Sequence, residues 1–127
     1  MQPDVLTNLL SSLSAEEYCY LTTTGRVTGK PHEIEIWFAV HGNTLHLMAG
    51  GKYESDWVKN LLKNSSVAVR IAKHNFHGIA RIVGEEKEET MARTALAKKY
   101  QEWEEGRTLS RWARTALPVA IDIHQET

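Results

Sequence analysis

The chain has 127 residues, 42% hydrophobic and 24% charged, with a formal net charge of -1, the size and make-up of one globular domain with no room for a second. That balance excludes the positive excess of a nucleic-acid binder, and no apolar run approaches the roughly 20 residues of a membrane-spanning helix. A lone cysteine, Cys19, excludes internal disulfides and cysteine-based zinc clusters, and the N-terminus lacks the basic head and apolar centre of a secretory signal, so the expected location is cytoplasmic.

Residues 1–14 read as an N-terminal helix. Val5, Leu6, Leu9, Leu10 and Leu13 recur at helical spacing, and Asp4 lies near the start, where its charge suits the helix dipole. Residues 18–24 form an aromatic and β-branched run that predicts a strand, which Gly25 ends. After a turn holding Gly29 and Pro31, residues 32–41 predict the second strand. There Ile34, Ile36, Phe38 and Val40 alternate with Glu33, Glu35, Trp37 and Ala39.

Gly42-Asn43 tolerates positive φ and predicts a hairpin into the third strand, residues 44–48. Gly50-Gly51 ends that strand. Ser55 then stands where an N-cap precedes the short amphipathic helix of Trp57, Val58, Leu61 and Leu62, closed by Asn64. Residues 67–72 and 78–84 predict a second hairpin around a loop, residues 73–77, that contains His74 and His77. The segment 85–116 reads as helical, with Met91, Ala95, Leu96 and Tyr100 on one stripe and Glu89 one turn before Arg93. Pro118 opens a last strand over residues 119–123. Six short strands with few helices predict a mainly β fold, a six-stranded antiparallel barrel forming one domain over residues 1–127, because closure removes the exposed edges.

Two segments stand out chemically. Ala49-Gly50-Gly51-Lys52 joins a strand end to a helix start, where free backbone N–H groups, bare glycine and a cation suit a flat polar ring or a phosphate. Arg26, Lys30 and His32 flank the first turn, a cluster able to hold phosphate or carboxylate groups. The histidines form no metal motif and no nucleophile elbow or Walker loop is present, so neither a metal nor a hydrolase mechanism is expected. The four tryptophans supply aromatic surface for planar ligands. Glu33 and Glu35 read as an exposed or interfacial sheet face.

Leu21-Thr-Thr-Thr-Gly-Arg26, Gly29-Lys-Pro-His32, Gly50-Gly51, Trp57, Asn60-Leu61 and Val67-Ala-Val69, in this order, resemble the deazaflavin-dependent nitroreductase and quinone reductase family. These are split-barrel flavoproteins related to pyridoxamine phosphate oxidase. The resemblance implies a split β-barrel, a homodimer, and hydride transfer from reduced F420 to a small organic acceptor such as a quinone, enone or nitro compound. It places Arg26, Lys30 and His32 at the cofactor's phosphate or acidic tail, Ala49, Gly50, Gly51 and Lys52 along its ring, and Trp57 and Asn60 at the start of the covering helix. Tyr100 and Trp103 fall at the acceptor pocket, with water or Tyr100 supplying a proton. Val27 and His32 replace a lysine and an arginine usual in the family. Trp57 stands where FMN-binding relatives carry a phosphate-holding lysine, so the resemblance favours F420, with FMN the alternative cofactor. A barrel that binds flavin, haem or lipid without turnover is the remaining alternative.

Overall fold

The computed structural model describes residues 3–127, so the first two residues of the expected N-terminal helix lie outside the described residues. In chain order the elements are α1 (Pro3–Ser12), β1 (Cys19–Thr24), β2 (Pro31–Ile36), β3 (Ala39–His41), β4 (Thr44–Ala49), a short 3-10 turn (Lys52–Glu54), α2 (Asp56–Lys63), β5 (Ser66–Ile71), β6 (His74–Ile82), α3 (Glu86–Gln101), α4 (Arg111–Thr115) and β7 (Leu117–Glu126). The fold is mainly β, and every strand pairing is antiparallel. The sheet has seven strands in the order β2-β1-β5-β6-β7-β4-β3, one more than expected.

The extra strand arises because the predicted second strand is two. β2 and β3 sit at opposite ends of the hydrogen-bonding order yet follow one another in the chain, separated only by Trp37 and Phe38. Three Cα steps span at most about 11 Å, so the two ends of the sheet must curl toward each other. The result is a barrel closed by covalent chain, not by a ladder, at one seam. Distant side chains hold this break. The Phe38 amide donates to the Tyr100 hydroxyl at 3.0 Å, and the Phe38 carbonyl accepts from Lys99 Nζ at 2.9 Å. Backbone groups that a continuous strand would spend on a neighbour are satisfied by α3 instead.

The barrel interior is filled by Leu21, Leu45, Leu47, Val69, Phe76 and Ile121, plugged at its ends by Leu10 of α1 and Leu61 of α2. A second, smaller cluster lies under α3 and α4, where Met48, Leu96, Ala97 and Ala113 pack with Trp37, Tyr100 and Trp112. β4 is therefore buried on both faces. The segment 85–116 resolves into two helices. Arg93 pairs with Glu89 at 2.9 Å and also donates to the Ala113 and Ala116 carbonyls, tying α3 to the end of α4. The Gly42-Asn43 hairpin forms as expected, with Gly42 at φ 60°. The β5–β6 turn is tighter than predicted, with Ala72 at φ 54°, so His74 and His77 belong to β6 and not to a loop.

Candidate functional site

A cleft of about 450 Å³ opens between the β1–β2 turn and the start of α2. The turn is compact. Gly25 N–H donates to the Lys30 carbonyl at 2.7 Å, and Gly29, at φ 75°, donates to the Gly25 carbonyl at 2.9 Å. A Cβ at position 25 would come within 2.6 Å of His32 Nε2, so any other residue there would displace the ring. That close approach seats the His32 ring over the turn, at the cleft wall.

Across the cleft, α2 presents Asp56, Trp57 and Asn60. Asn60 is buried. Its Oδ1 accepts from the Arg26 amide at 3.1 Å and from Arg26 Nη1 at 2.9 Å, while its Nδ2 donates to Thr23 Oγ1 at 3.1 Å. Arg26 Nη2 also meets Asp56 Oδ1 at 3.1 Å, but that carboxylate is 85% exposed. The guanidinium is thus aimed by a buried amide and only lightly held by an exposed acid, a pair worth little in water. A phosphate or carboxylate can take the place of Asp56.

The Ala49–Gly51 segment does not line this cleft; it leads to it. Ala49 ends β4 in register with Leu117 and is buried. Gly50 lies against the Trp112 ring, and a Cβ on Gly51 would come within 2.7 Å of Ser55 Oγ. Ser55 is the N-cap residue of α2, yet its hydroxyl makes no capping bond. Gly51 itself has φ -79°, and the left-handed residue of this segment is Lys52, at φ 54°.

At the other end of this segment lies a groove of about 440 Å³, lined by Tyr18, Glu35, Trp37, Met48, Gln101 and Trp112 among others. Trp37 stacks on Tyr100, centroids 4.4 Å apart and planes within 3°, and meets Trp112 edge-on at 5.5 Å. The Tyr100 hydroxyl is fully engaged. It accepts the Phe38 amide, and its proton lies within reach of the Glu17 carbonyl at 2.8 Å and the Phe38 carbonyl at 3.0 Å. Burial pushes this phenol up to about 12. Beside it, burial brings the Lys99 ammonium down to about 8.

Of the residues singled out in the sequence, Arg26, His32, Trp57 and Asn60 meet in the first cleft. Lys30 is exposed in the same turn, and Lys52 is exposed beyond Gly51. Tyr100 stands behind the aromatic groove, and Trp103 lies past the end of α3, its Nε1 donating to the Arg107 carbonyl at 2.8 Å. Sequence reasoning missed Thr23 and Asp56 in the cleft and Glu35, Met48 and Gln101 in the groove, whose Trp37 and Trp112 are among the tryptophans expected to offer aromatic surface. Asp56 could have been found as the partner one helical turn before Asn60; Gln101 and Glu35 carry no local signal. β2 runs along both sites, with His32 to Ile34 in the first and Glu35 and Ile36 in the second, where Trp37 just beyond the strand joins them.

Solved structures share this fold. A protein from Listeria innocua assigned as a pyridoxamine 5′-phosphate oxidase superposes with a TM-score of 0.73 at 18% identity, covering 97% of this chain and 96% of that one. The haem storage protein HutZ from Vibrio cholerae gives 0.68 at 12%, covering 94% and 91%, and an F420-H2 dependent reductase (FDR-A) gives 0.64 at 19%, covering 83% and 93%. At such identities the likeness is one of fold. None of the curated proteins is similar in sequence at a significant level. The sequence profile of the F420H(2)-dependent quinone reductases, however, matches residues 7–123, nearly the whole domain, and the chain belongs to that family.

Proposed function

We propose that this family member reduces a planar organic acceptor, a quinone, enone or nitro compound, with F420H2 as donor. One observation carries the reading. The chain places an aimed guanidinium and an aromatic groove at the two ends of one segment, 49–57, with β2 running along both. An elongated cofactor with an acidic tail and a flat ring needs such a pair of sites.

The residues present fit F420. Arg26 and His32, with Lys30 in the same turn, would meet the phosphate or acidic tail, Asn60 and Trp57 would form the helix-side wall, and Ala49, Gly50, Gly51 and Lys52 would run along the ring. When bound, reduced F420 supplies a hydride, and one further proton completes reduction of a quinone to a hydroquinone. This chain's own part is to align donor and acceptor and to exclude water between them. Tyr100, its hydroxyl spent on backbone, acts in this reading through Trp37, which it holds flat against the groove, while the proton comes from water. Trp103 packs at the edge of the same cluster and would close the acceptor side. A homodimer in the cytoplasm completes the proposal.

The test is direct. Purified protein is titrated with F420H2 and then mixed with menadione, and the expected result is micromolar binding followed by acceptor-dependent recovery of the oxidised deazaflavin absorbance. A yellow preparation that turns over only with FMN, or tight ligand binding without turnover, would overturn it in favour of the FMN enzyme or the binding protein.

A further inference from the structure

Two polar groups face the aromatic groove from opposite elements, and the proposed reaction has not drawn on either. Gln101, the last residue of α3, accepts at Oε1 from the Ser110 hydroxyl at 2.8 Å. The same hydroxyl accepts the Ala113 amide at 3.1 Å and so caps α4. With its oxygen engaged by Ser110, the carboxamide is oriented and both of its Nε2 donors are left to offer, with no protein partner among the described residues. On β2, Glu35 lines the groove with one carboxylate oxygen taking the Tyr20 hydroxyl at 2.8 Å. It is the only charged side chain lining the groove among the described residues. The same groove is lined by the flat rings of Trp37 and Trp112, which meet edge-on, and by the apolar thioether of Met48.

We infer that the groove selects an uncharged planar acceptor whose oxygen meets the Gln101 amide, and that Glu35 turns anionic acceptors away. For the identity of the ligand as acceptor, the inference rests on the reductase reading. An N–H donor held in place favours an oxygen that gains negative charge on reduction. A fixed carboxylate within a few ångströms disfavours a second anion by about fivefold even at the dielectric of water. Together they make Gln101 and Glu35 specificity-determining residues at a site where aromatic surface alone would accept any flat molecule.

The experiment measures binding of menadione and of a naphthoquinone sulfonate by quenching of tryptophan fluorescence, without cofactor, in the wild type and three variants. Glu35→Gln keeps an oxygen for Tyr20 and removes the charge, so it raises sulfonate affinity by about fivefold while leaving menadione unchanged. Gln101→Glu keeps an oxygen for Ser110 and adds a charge, so it widens the gap between the two ligands. Gln101→Leu weakens menadione by about fivefold through loss of the donor. Equal affinities in the wild type, or a gap that Glu35→Gln leaves untouched, overturn the inference. Turnover of F420H2 is measured separately. Its loss with every acceptor would sink the reductase reading while the binding preference stood, whereas turnover with no preference would sink this inference alone.

Discussion

Asn60 serves two elements through one buried side chain. It joins α2 to β1 through Thr23 and orients the Arg26 guanidinium, so its removal strands a hydroxyl and frees an arginine at once. Asn60→Ala is expected to cost about 2 kcal/mol in urea unfolding and to weaken F420 binding roughly tenfold, because the donor set loses its support. Wild-type affinity in the folded variant would contradict the role given to Arg26. Tyr100 separates structure from chemistry in the same way. Tyr100→Phe removes the acceptor for the Phe38 amide and the donor to the Glu17 carbonyl, so thermal stability falls by about 2 kcal/mol. If water supplies the proton, menadione turnover per folded molecule changes far less than a loss of the proton donor would demand, which is typically about a hundredfold. A hundredfold fall in kcat with unchanged stability would restore Tyr100 as the acid.

The elements show where local sequence suffices. Alternation marked both strands of the second hairpin, where one face meets the core, while the aromatic and β-branched run marked β1 and Gly42-Asn43 marked the β3–β4 hairpin, whose β4 is buried on both faces. It could not mark the break in the second strand, because the groups that end the ladder, Lys99 and Tyr100, lie 61 and 62 residues further along. The adjacent buried pair Phe38 and Ala39 was the only local sign, a slip in the alternation. The site divides likewise. Arg26 and His32 were legible because a glycine turn concentrates charge in a few residues, while the groove is assembled from β2, β4, α3 and α4 and has no contiguous signature. A charge network fixes α3 to the sheet. Glu88 takes Arg81 Nη1 and Nη2 at 2.9 Å and meets buried His46 at 2.8 Å, and Arg81 Nε in turn donates to Asp122. The Arg81 guanidinium, before the smaller help of His46, holds the Glu88 carboxyl down at about 2 against an ordinary 4.5. A depressed acid stabilises the fold fully above its unfolded value, so this contribution is complete above about pH 4.5 and is lost as pH falls toward 2. Glu88→Gln should lower the unfolding midpoint at neutral pH and flatten its decline over that window, as followed by circular dichroism. An unchanged acid profile would remove Glu88 from the account.

For the whole molecule, the helices are unevenly placed. α3 packs on β4, β3 and β7, and α1 on β3, while α2 plugs the end of the barrel beside β1 and β6. The outer face of β1 and β5 carries Tyr20, Thr22, Ala68 and Arg70, with Arg70 over the Tyr20 ring at 4.1 Å. The edge strand beside it bears Pro31, Glu33 and Glu35, residues that blunt strand-to-strand pairing at an edge. Self-association therefore has a face to use and an edge to avoid. The proposed homodimer is expected to meet through this face, with Ala68 near its middle, in register with Thr22 on one side and His77 on the other. Sedimentation equilibrium should give about twice the 14.4 kDa of one chain. Ala68→Arg, which adds a long cation to an exposed position without entering the core, should return a folded monomer. A wild type that sediments as a monomer at micromolar concentration would remove the dimer, and a dimer indifferent to Ala68→Arg would place its interface elsewhere. The two cases bear on catalysis differently. Arg26, Asn60, Trp37 and Gln101 all come from a single chain, so the clefts survive dissociation, and loss of turnover on splitting the dimer would mean that the partner covers the acceptor.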